Sequence, residues 1–438
     1  MTDIAGKRLS RRRFLQVGAG AAVAASGATW ATRSAKAFTP VPDPKSGGKA
    51  LHMLATDGWV GFPTPANLTT YFPDPYAPDH GYPEATTYMF GFRDVTDLCN
   101  PSDPSIVTQA MLDQKGKAQA AAPLLWVTEG DLTTIYLTNL GLSIRPDLTD
   151  SHTIHWHGFR NASPLFDGVP EMSIAVPSGR TFPYLYHAHE PGTYIYHCHF
   201  EDVEHVQMGM TGIVFIRPLA NPKWTYGGPY GVSTAFDREF AIILTEWWAQ
   251  GHWGDAHIQE SDWTSFKPDI CMMNGRTYPD TLDANSTYNS AGDPSGVLNP
   301  RLPYQPISSV IRGATGDTVL LRLGHLGYVQ HSIELPGIPM KVIGRDSVLL
   351  RGRDGTDLSH ITNHVEIGPG ETVDALINLP ATGGATGADS YGPYRAFPLY
   401  DRDYANAYKI AGSPDHAGMR TEIRVYSSLP AQGEPNTP

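Results

Sequence analysis

The chain has 438 residues, 41% hydrophobic and 17% charged, which supplies apolar material for real cores and excludes general disorder. Its formal charge of −12 at pH 7 excludes nucleic-acid binding through a basic face. With 44 Gly, 37 Pro, 21 Tyr and 9 Trp, the composition favours a turn-rich β protein over a helical bundle.

Residues 1–37 read as a targeting segment, not as fold. Ser10-Arg11-Arg12-Arg13-Phe14-Leu15-Gln16 matches the twin-arginine export signal at all but its last position. A weakly apolar Ala/Gly stretch runs from Val17 to about Ala31, and Ala35-Lys36-Ala37 is an A-x-A cleavage site. The stretch is short of the strongly apolar length that a transmembrane helix needs, and no other segment is long and apolar enough to span. The segment carries seven Lys/Arg and one Asp, so the chain's −12 less this +6 leaves −18 on the remainder. Such acidity keeps the mature chain soluble and repels anionic partners. The expected location is therefore outside the cytoplasm: periplasmic, cell-surface or extracellular.

Residues 38–50 form an extended Pro/Gly/Lys-rich linker. A first domain is expected over 51–218, a Pro/Gly/Tyr-rich linker over 219–235, a second domain over 236–428 and a tail over 429–438. Within them the chain alternates apolar and polar residues across Gly-Asp turns, the pattern of paired strands. Leu124–Val127 meets Gly130-Asp131 before Thr134–Asn139, and Val310–Arg312 meets Gly316-Asp317 before Val319–Leu323. Helix content is expected to be low, with Ser105–Lys117 the best candidate, and Thr245–Trp263 is read as a tryptophan-rich loop.

These turns open an internal repeat. In the first copy His152–Gly158 follows, then Val176–Gly179, Tyr196-His197-Cys198-His199, and Gly209-Met210 ahead of an apolar strand. In the second copy the same landmarks are His331–Gly337, Gly368–Glu371, Tyr400-Asp401-Arg402-Asp403, and Gly418-Met419. Two β-sandwich domains of one design are implied.

Eight of the 17 histidines fall between His152 and His205, and Cys198 sits among them. His152, Cys198, His205 and Met210 make two imidazoles, a thiolate and a thioether, the ligand set of a blue-copper electron-transfer site. His155 and His157 alternate with Trp156, and His197 and His199 flank Cys198. On a strand each histidine pair shares a face while Cys198 points the other way. One copper on one side and two imidazole pairs on the other would be joined by a short covalent path. Of the three cysteines, Cys99 and Cys271 are left as a bridge or as two buried thiols.

On these residues the sequence resembles the multicopper oxidase family. The carrying motifs are HTIHWHG (His152–Gly158), DGVP (Asp167–Pro170), PGTYIYHCH (Pro191–His199) and HVQMGMTG (His205–Gly212). PLLWVTEGD (Pro123–Asp131) and MMNGRTYPDT (Met272–Thr281) support them. The likeness is closest to the two-domain branch with type 1 copper in the first domain, related to laccases and copper nitrite reductases. It implies an all-β chain of two cupredoxin-like Greek-key β-sandwiches that assembles as a homotrimer. It also implies type 1 ligands His152, Cys198, His205 and Met210. His155, His157, His197 and His199 would be the first-domain half of a type 2/type 3 copper cluster. His187 and His189 match no ligand position.

The second domain departs from the family pattern. Glu334, Pro336, Asp401 and Asp403 stand where four imidazoles are expected, and Arg402 stands in line with Cys198. His331 matches His152; His325, His331, His360 and His364 could reach the cluster from new positions, but each alone is read as structural. The expected function is one-electron oxidation of a small-molecule or metal-ion donor, with a redox protein as a further possible partner. The alternative is a non-catalytic blue-copper carrier or copper-binding protein.

Overall fold

The structure is a computed structural model that describes residues 50–63, 70–78, 85–100, 102–161, 163–227, 233–285, 302–403, 408–409 and 416–438. The export segment 1–37, the linker residues 38–49 and residues 228–232 of the second linker lie outside the described residues. No helix among the described residues is long and apolar enough to cross a membrane.

The chain folds into two β-sandwiches, as its alternating apolar pattern demands. The first packs a sheet ordered Thr86–Asp94, Ala50–Gly61, Leu132–Asn139, Thr181–His187 against one ordered Leu125–Thr128, Thr211–Arg217, Gly192–His197, His155–Trp156. The second has a sheet ordered Ile270–Met273, Arg238–Trp247, Thr318–His325, Thr372–Asn378, Met340–Arg345, Val348–Leu349. Facing it is a sheet ordered Ile311–Ala314, Arg420–Tyr426, Gly392–Asp401, His331–Glu334, His364–Ile367.

The sequence repeat is also a repeat of topology. Ala50–Gly61 runs parallel to Leu132–Asn139, and Arg238–Trp247 runs parallel to Thr318–His325. Leu125–Thr128 is parallel to Thr211–Arg217, and Ile311–Ala314 to Arg420–Tyr426. Each sandwich buries its own core, one around Trp156, Tyr184, Tyr186 and Tyr196, the other around Leu321, Leu323, Ile333 and Ile377.

Between the sandwiches, Ile195, Ile213 and Phe215 meet Ala241, Ile243 and Leu326. Beside this apolar seam lies a buried ion network. Arg322 donates to Glu239 (3.0 Å) and to Thr193 (2.9 Å), and its guanidinium stacks 4.2 Å over Phe215. Thr193 donates to Asp374 (2.5 Å), which also accepts from Tyr226. The tail is docked along the strand Arg238–Trp247: Gln432 accepts from Glu239 N–H and Asn436 from Ala241 N–H, covering groups that a free strand edge would expose.

Two local expectations change, and the open alternative for two cysteines resolves. Only Gln109–Leu112 of Ser105–Lys117 is helical, capped by Thr108. The chain then turns through Gly116 at φ 78° so that Ala118 N–H reaches Asp57 O at 2.9 Å. Thr245–Trp263 is the end of a strand followed by the helix Ala249–Ala256, whose His252 contacts the carbonyls of Tyr88 (2.6 Å) and Gln207 (3.1 Å). Cys99 and Cys271 are both free thiols.

Two predictions follow from these buried groups. Arg322→Ala strands Glu239 and Asp374 in a dry seam and is expected to cost about 3–5 kcal/mol of unfolding free energy in denaturant. An unchanged midpoint would show that Arg217, which also pairs with Glu239, balances the charge alone. The second concerns His52 and His252, both pushed down to about 4 by burial, which outweighs carbonyl contacts acting the other way. The unfolded chain takes up these protons first, near pH 6.5, so stability must fall as pH drops from about 6.5 towards about 4. Each group is expected to contribute up to ~3 kcal/mol of that loss, and His252→Gln to remove its own share. Equal acid sensitivity in the variant would refute the assignment.

Candidate metal centre

The first domain gathers its metal-binding residue types at one end of the sandwich. The strand Gly192–His197 runs straight into Cys198, whose N–H donates to the carbonyl of Met210 at 3.1 Å. His152 is held by a two-way bridge to Val176, and His205 rides on the short helix Asp202–Gln207. His152, Cys198 and His205 are all buried and bring one ligand atom each within 4.8 Å of the others. Both imidazoles turn Nδ1 to the sulfur, at 3.8 Å for His152 and 3.3 Å for His205. Thr153 N–H points at the same sulfur from 3.4 Å. Met210 is buried in the same core.

Burial, and then the nearby His205, holds the His152 pKa far below the usual imidazole range, so its lone pair is available. At His205 burial also acts downwards. Cys198 and Asp150 outweigh it and raise the pKa to about 10, and Asp150 Oδ2 lies 3.7 Å from Nε2. One soft sulfur, two Nδ1 atoms and a buried thioether fit copper better than zinc or a hard cation.

On the opposite face stand the other four histidines. His155, His157 and His197 bring ligand atoms within 4.8 Å of one another. His199 joins the rim, its ring 5.2 Å from that of His155 and 5.4 Å from that of His197. Three of the rings are anchored through Nδ1, on the carbonyls of Asp167 (2.6 Å), Gly370 (3.2 Å) and Cys198 (2.8 Å). A carbonyl only accepts, so Nδ1 carries the proton and Nε2 keeps its lone pair, the arrangement that orients metal-binding imidazoles. Burial lowers the pKa of His155, and that of His197 to about 3. His187 and His189 join neither group; His189 stacks on Phe159 and contacts the carbonyl of Arg160.

In the second domain the backbone register shifts the sequence correspondence by one residue. Asp401 N–H donates to Met419 O (2.9 Å) as Cys198 N–H does to Met210 O, and Ser332 N–H donates to the Asp401 carboxylate (3.2 Å) as Thr153 N–H does to the sulfur. Strand pairing agrees: His155 lies opposite His197, and Glu334 opposite Tyr400. Asp401 therefore takes the place of Cys198, Tyr400 that of His197 and Arg402 that of His199. The alignment of Asp401 and Asp403 with the two histidines, and of Arg402 with the cysteine, is corrected. Matching Tyr196 to Tyr400 misled it, because the hydrogen bonds to Met210 and Met419 set the register.

The side chain of Asp401 is only 6% exposed. Its carboxylate accepts from His331 Nδ1 at 2.6 Å. On the other side of that ring, Glu246 Oε1 contacts His331 Nε2 and lies 2.9 Å from His325 Nε2. Glu246, His325 and His331 are wholly buried and form a third set of metal-capable residues. Burial works to raise the Glu246 pKa, but the hydrogen bonds from both histidines hold it at about 2. Sequence reading missed Glu246 and His325 because they end two strands 79 residues apart. The available signal was a second carboxylate, after Glu239, in the largely apolar run of Arg238–Trp247, which needs a buried partner.

Residues 116–221 match the family model described as multicopper oxidase. An L-ascorbate oxidase of Nicotiana tabacum is 29% identical over 166 residues, 36% of this chain and 25% of that protein. Laccase-25 of Oryza sativa subsp. japonica is 26% identical over 303 residues, 68% of this chain and 44% of that protein. The chain thus spans between a quarter and under half of the length of these curated relatives. Among solved structures, the blue copper oxidase from Nitrosomonas europaea matches with a TM-score of 0.57 at 22% identity, covering 86% of each chain. That likeness speaks for the fold.

Proposed function

Because the chain belongs to the multicopper oxidase family through its first domain, we propose that it is an exported copper-dependent oxidoreductase that takes single electrons from a small-molecule or metal-ion donor. The observation that carries this reading is Cys198, with the Nδ1 atoms of two histidines turned to its sulfur and with histidines on either side of it in the chain. In this reading His152, Cys198, His205 and Met210 hold type 1 copper. Copper bound there would cycle between its two oxidation states and accept one electron at a time.

The protein's own groups supply the rest. Thr153 N–H and burial keep the sulfur in a fixed, dry position. Peptide bonds from Cys198 lead directly to His197 and to His199, so the two pockets are joined covalently. His155, His157, His197 and His199 are proposed to hold the inner copper, with the Nδ1–H groups of His155, His157 and His197 locked on carbonyls so that those rings keep their aim. Asp150 and Glu201 lie beside His205, and their charge favours a cationic or neutral donor over an anion.

A homotrimer is proposed, with a neighbour's second domain facing the inner histidines. That neighbour would not bring Asp401, which is engaged inside its own domain by His331 and Ser332. Glu334 takes the hydroxyl of Tyr400 at 3.3 Å and lies 3.4 Å from Arg402, so it arrives already paired. The inner site is therefore expected to hold its copper less firmly than the type 1 site. An electron carrier with type 1 copper alone remains the second reading, and the absence of imidazoles at Glu334, Tyr400 and Arg402 favours it.

Two measurements test this. Cys198→Ser is expected to abolish the strong visible thiolate-to-copper absorption while the far-ultraviolet circular dichroism is kept; a blue Ser variant would overturn the type 1 assignment. Copper content read together with dioxygen uptake separates the two functions. We expect type 1 copper to survive dialysis against a chelator and inner copper to be released. A full complement of retained copper with rapid oxygen uptake would instead establish a complete oxidase.

A further inference from the structure

We infer that the second domain holds a metal site of its own, in which Glu246, His325 and His331 bind one divalent transition cation of the zinc class. The inference stands on these residues and not on the copper reading of the first domain.

The backbone register of the second domain shows how such a site arises. His331 occupies the place of His152, and Asp401 that of Cys198. In the first domain His152 offers Nδ1 to the sulfur and leaves Nε2 buried without a hydrogen-bond partner. In the second, the carboxylate that stands for the thiolate can only accept a proton, so it takes Nδ1–H of His331 at 2.6 Å. Nδ1 is thereby spent, and the ring presents Nε2 on its other side. There the neighbouring strands have also changed chemistry. Asn139 pairs with Ala55 in the first sandwich, and His325 pairs with Leu244 in the second, so His325 takes the place of Asn139. Counting two residues on along each strand, Glu246 takes the place of Asp57.

The three Nε2 and Oε1 atoms converge from two facing sheets, and all three side chains are wholly buried. Two imidazoles and a carboxylate, with a second carboxylate on the far nitrogen of one ring, is a recurrent arrangement for zinc and its neighbours. Outer contacts fix the aim: Tyr328 N–H donates to Glu246 Oε2 at 2.8 Å, Asp401 holds His331, and the backbone N–H of His325 bonds Glu371 O at 3.0 Å. His325 Nε2 stands 2.9 Å from Glu246 Oε1. Tetrahedral ligands with bonds of about 2.0–2.1 Å stand roughly 3.3 Å apart, so a cation asks these atoms to spread by less than about an ångström. No fourth His, Cys, Asp or Glu among the described residues joins the set, which leaves a position for water.

The site sits where it can brace the copper-binding end of the first domain. The carbonyl of Glu246 accepts from Gln207 Nε2 at 2.7 Å, and Tyr328 OH donates to Val203 O, both on the helix that carries His205.

The experiment uses the full chain, produced with copper and zinc both supplied and dialysed against a mild chelator. Total metal content and zinc-edge X-ray absorption are then read. The expected result is one zinc per chain with nitrogen and oxygen neighbours only, about two of them imidazoles. Glu246→Gln and His325→Gln are expected to lower zinc at least tenfold while the visible absorption of the Cys198 site persists. Sulfur in the zinc shell would place the ion at Cys198 and overturn the proposal. So would a wild-type chain that retains no zinc, which would make the cluster a hydrogen-bonded chain around a protonated His331. Should the variants fail to fold, the wild-type spectrum alone decides between these outcomes.

Discussion

A strand turns successive side chains to opposite faces, and in the segment His197-Cys198-His199 that alternation separates two chemistries by a single residue. The thiol faces the interior of the sandwich, with His152, His205 and Met210. The two imidazoles face outward, with His155 and His157. Nothing else in the first domain works unless this segment is held rigid. Its neighbours are arranged to that end: the paired strands His155–Trp156 and Thr211–Arg217 flank it, and Tyr196 OH donates to the carbonyl of Pro123 at 2.5 Å. The bridge between His152 and Val176 and the helix under His205 bring two imidazoles to a sulfur already in position.

Burial does the second part of the work. An imidazole in water is partly protonated near neutrality and competes poorly for a cation. Inside the sandwich desolvation drives His152, His155 and His197 to the neutral form, and carbonyls at Nδ1 choose the tautomer of the outer three. The fold thus prepares lone pairs before any ion arrives, and so lowers the cost of binding. His205 is set apart by Asp150 and by the sulfur itself, which draw a proton to it; an ion at the sulfur would have to displace that proton.

Much of this was legible in the sequence, for a physical reason. The first-domain candidate residues that the structure brings together lie within 59 positions, and most belong to two short motifs whose spacing maps directly onto strand faces. The repeat of Gly-Asp turns likewise foretold two sandwiches of one design, which the matching parallel strand pairs display. What could not be read is set by pairing between distant strands. The helix Ala249–Ala256 looked like loop because its anchors, the carbonyls of Tyr88 and Gln207, lie far away in the chain. The buried Arg322 resembles any strand arginine until Glu239, Thr193 and Phe215 are seen around it. The one-residue error at Asp401 has the same origin: letters were matched tyrosine to tyrosine, whereas the strands are held in step by hydrogen bonds to Met210 and Met419.

That register gives the second domain a different meaning. Read from letters alone, it is a copper domain that has lost its imidazoles and kept scattered acids. Read from the backbone, the changes are coordinated. A carboxylate replaces the thiolate, the retained histidine hands its Nδ1–H to that carboxylate, and a histidine and a glutamate appear where the first domain has Asn139 and Asp57. In the first domain those two positions are purely structural: Asp57 accepts from Ser143 and Ile144 N–H, and Asn139 ties the carbonyls of Asp150 and Val176. Glu246 retains part of that duty through Tyr328 N–H while its other oxygen meets two imidazoles. A carboxylate placed there without partners would carry a heavy desolvation penalty. Each change is therefore tolerable only in the company of the others, which is how a domain changes the chemistry of its interior while keeping its strands in place.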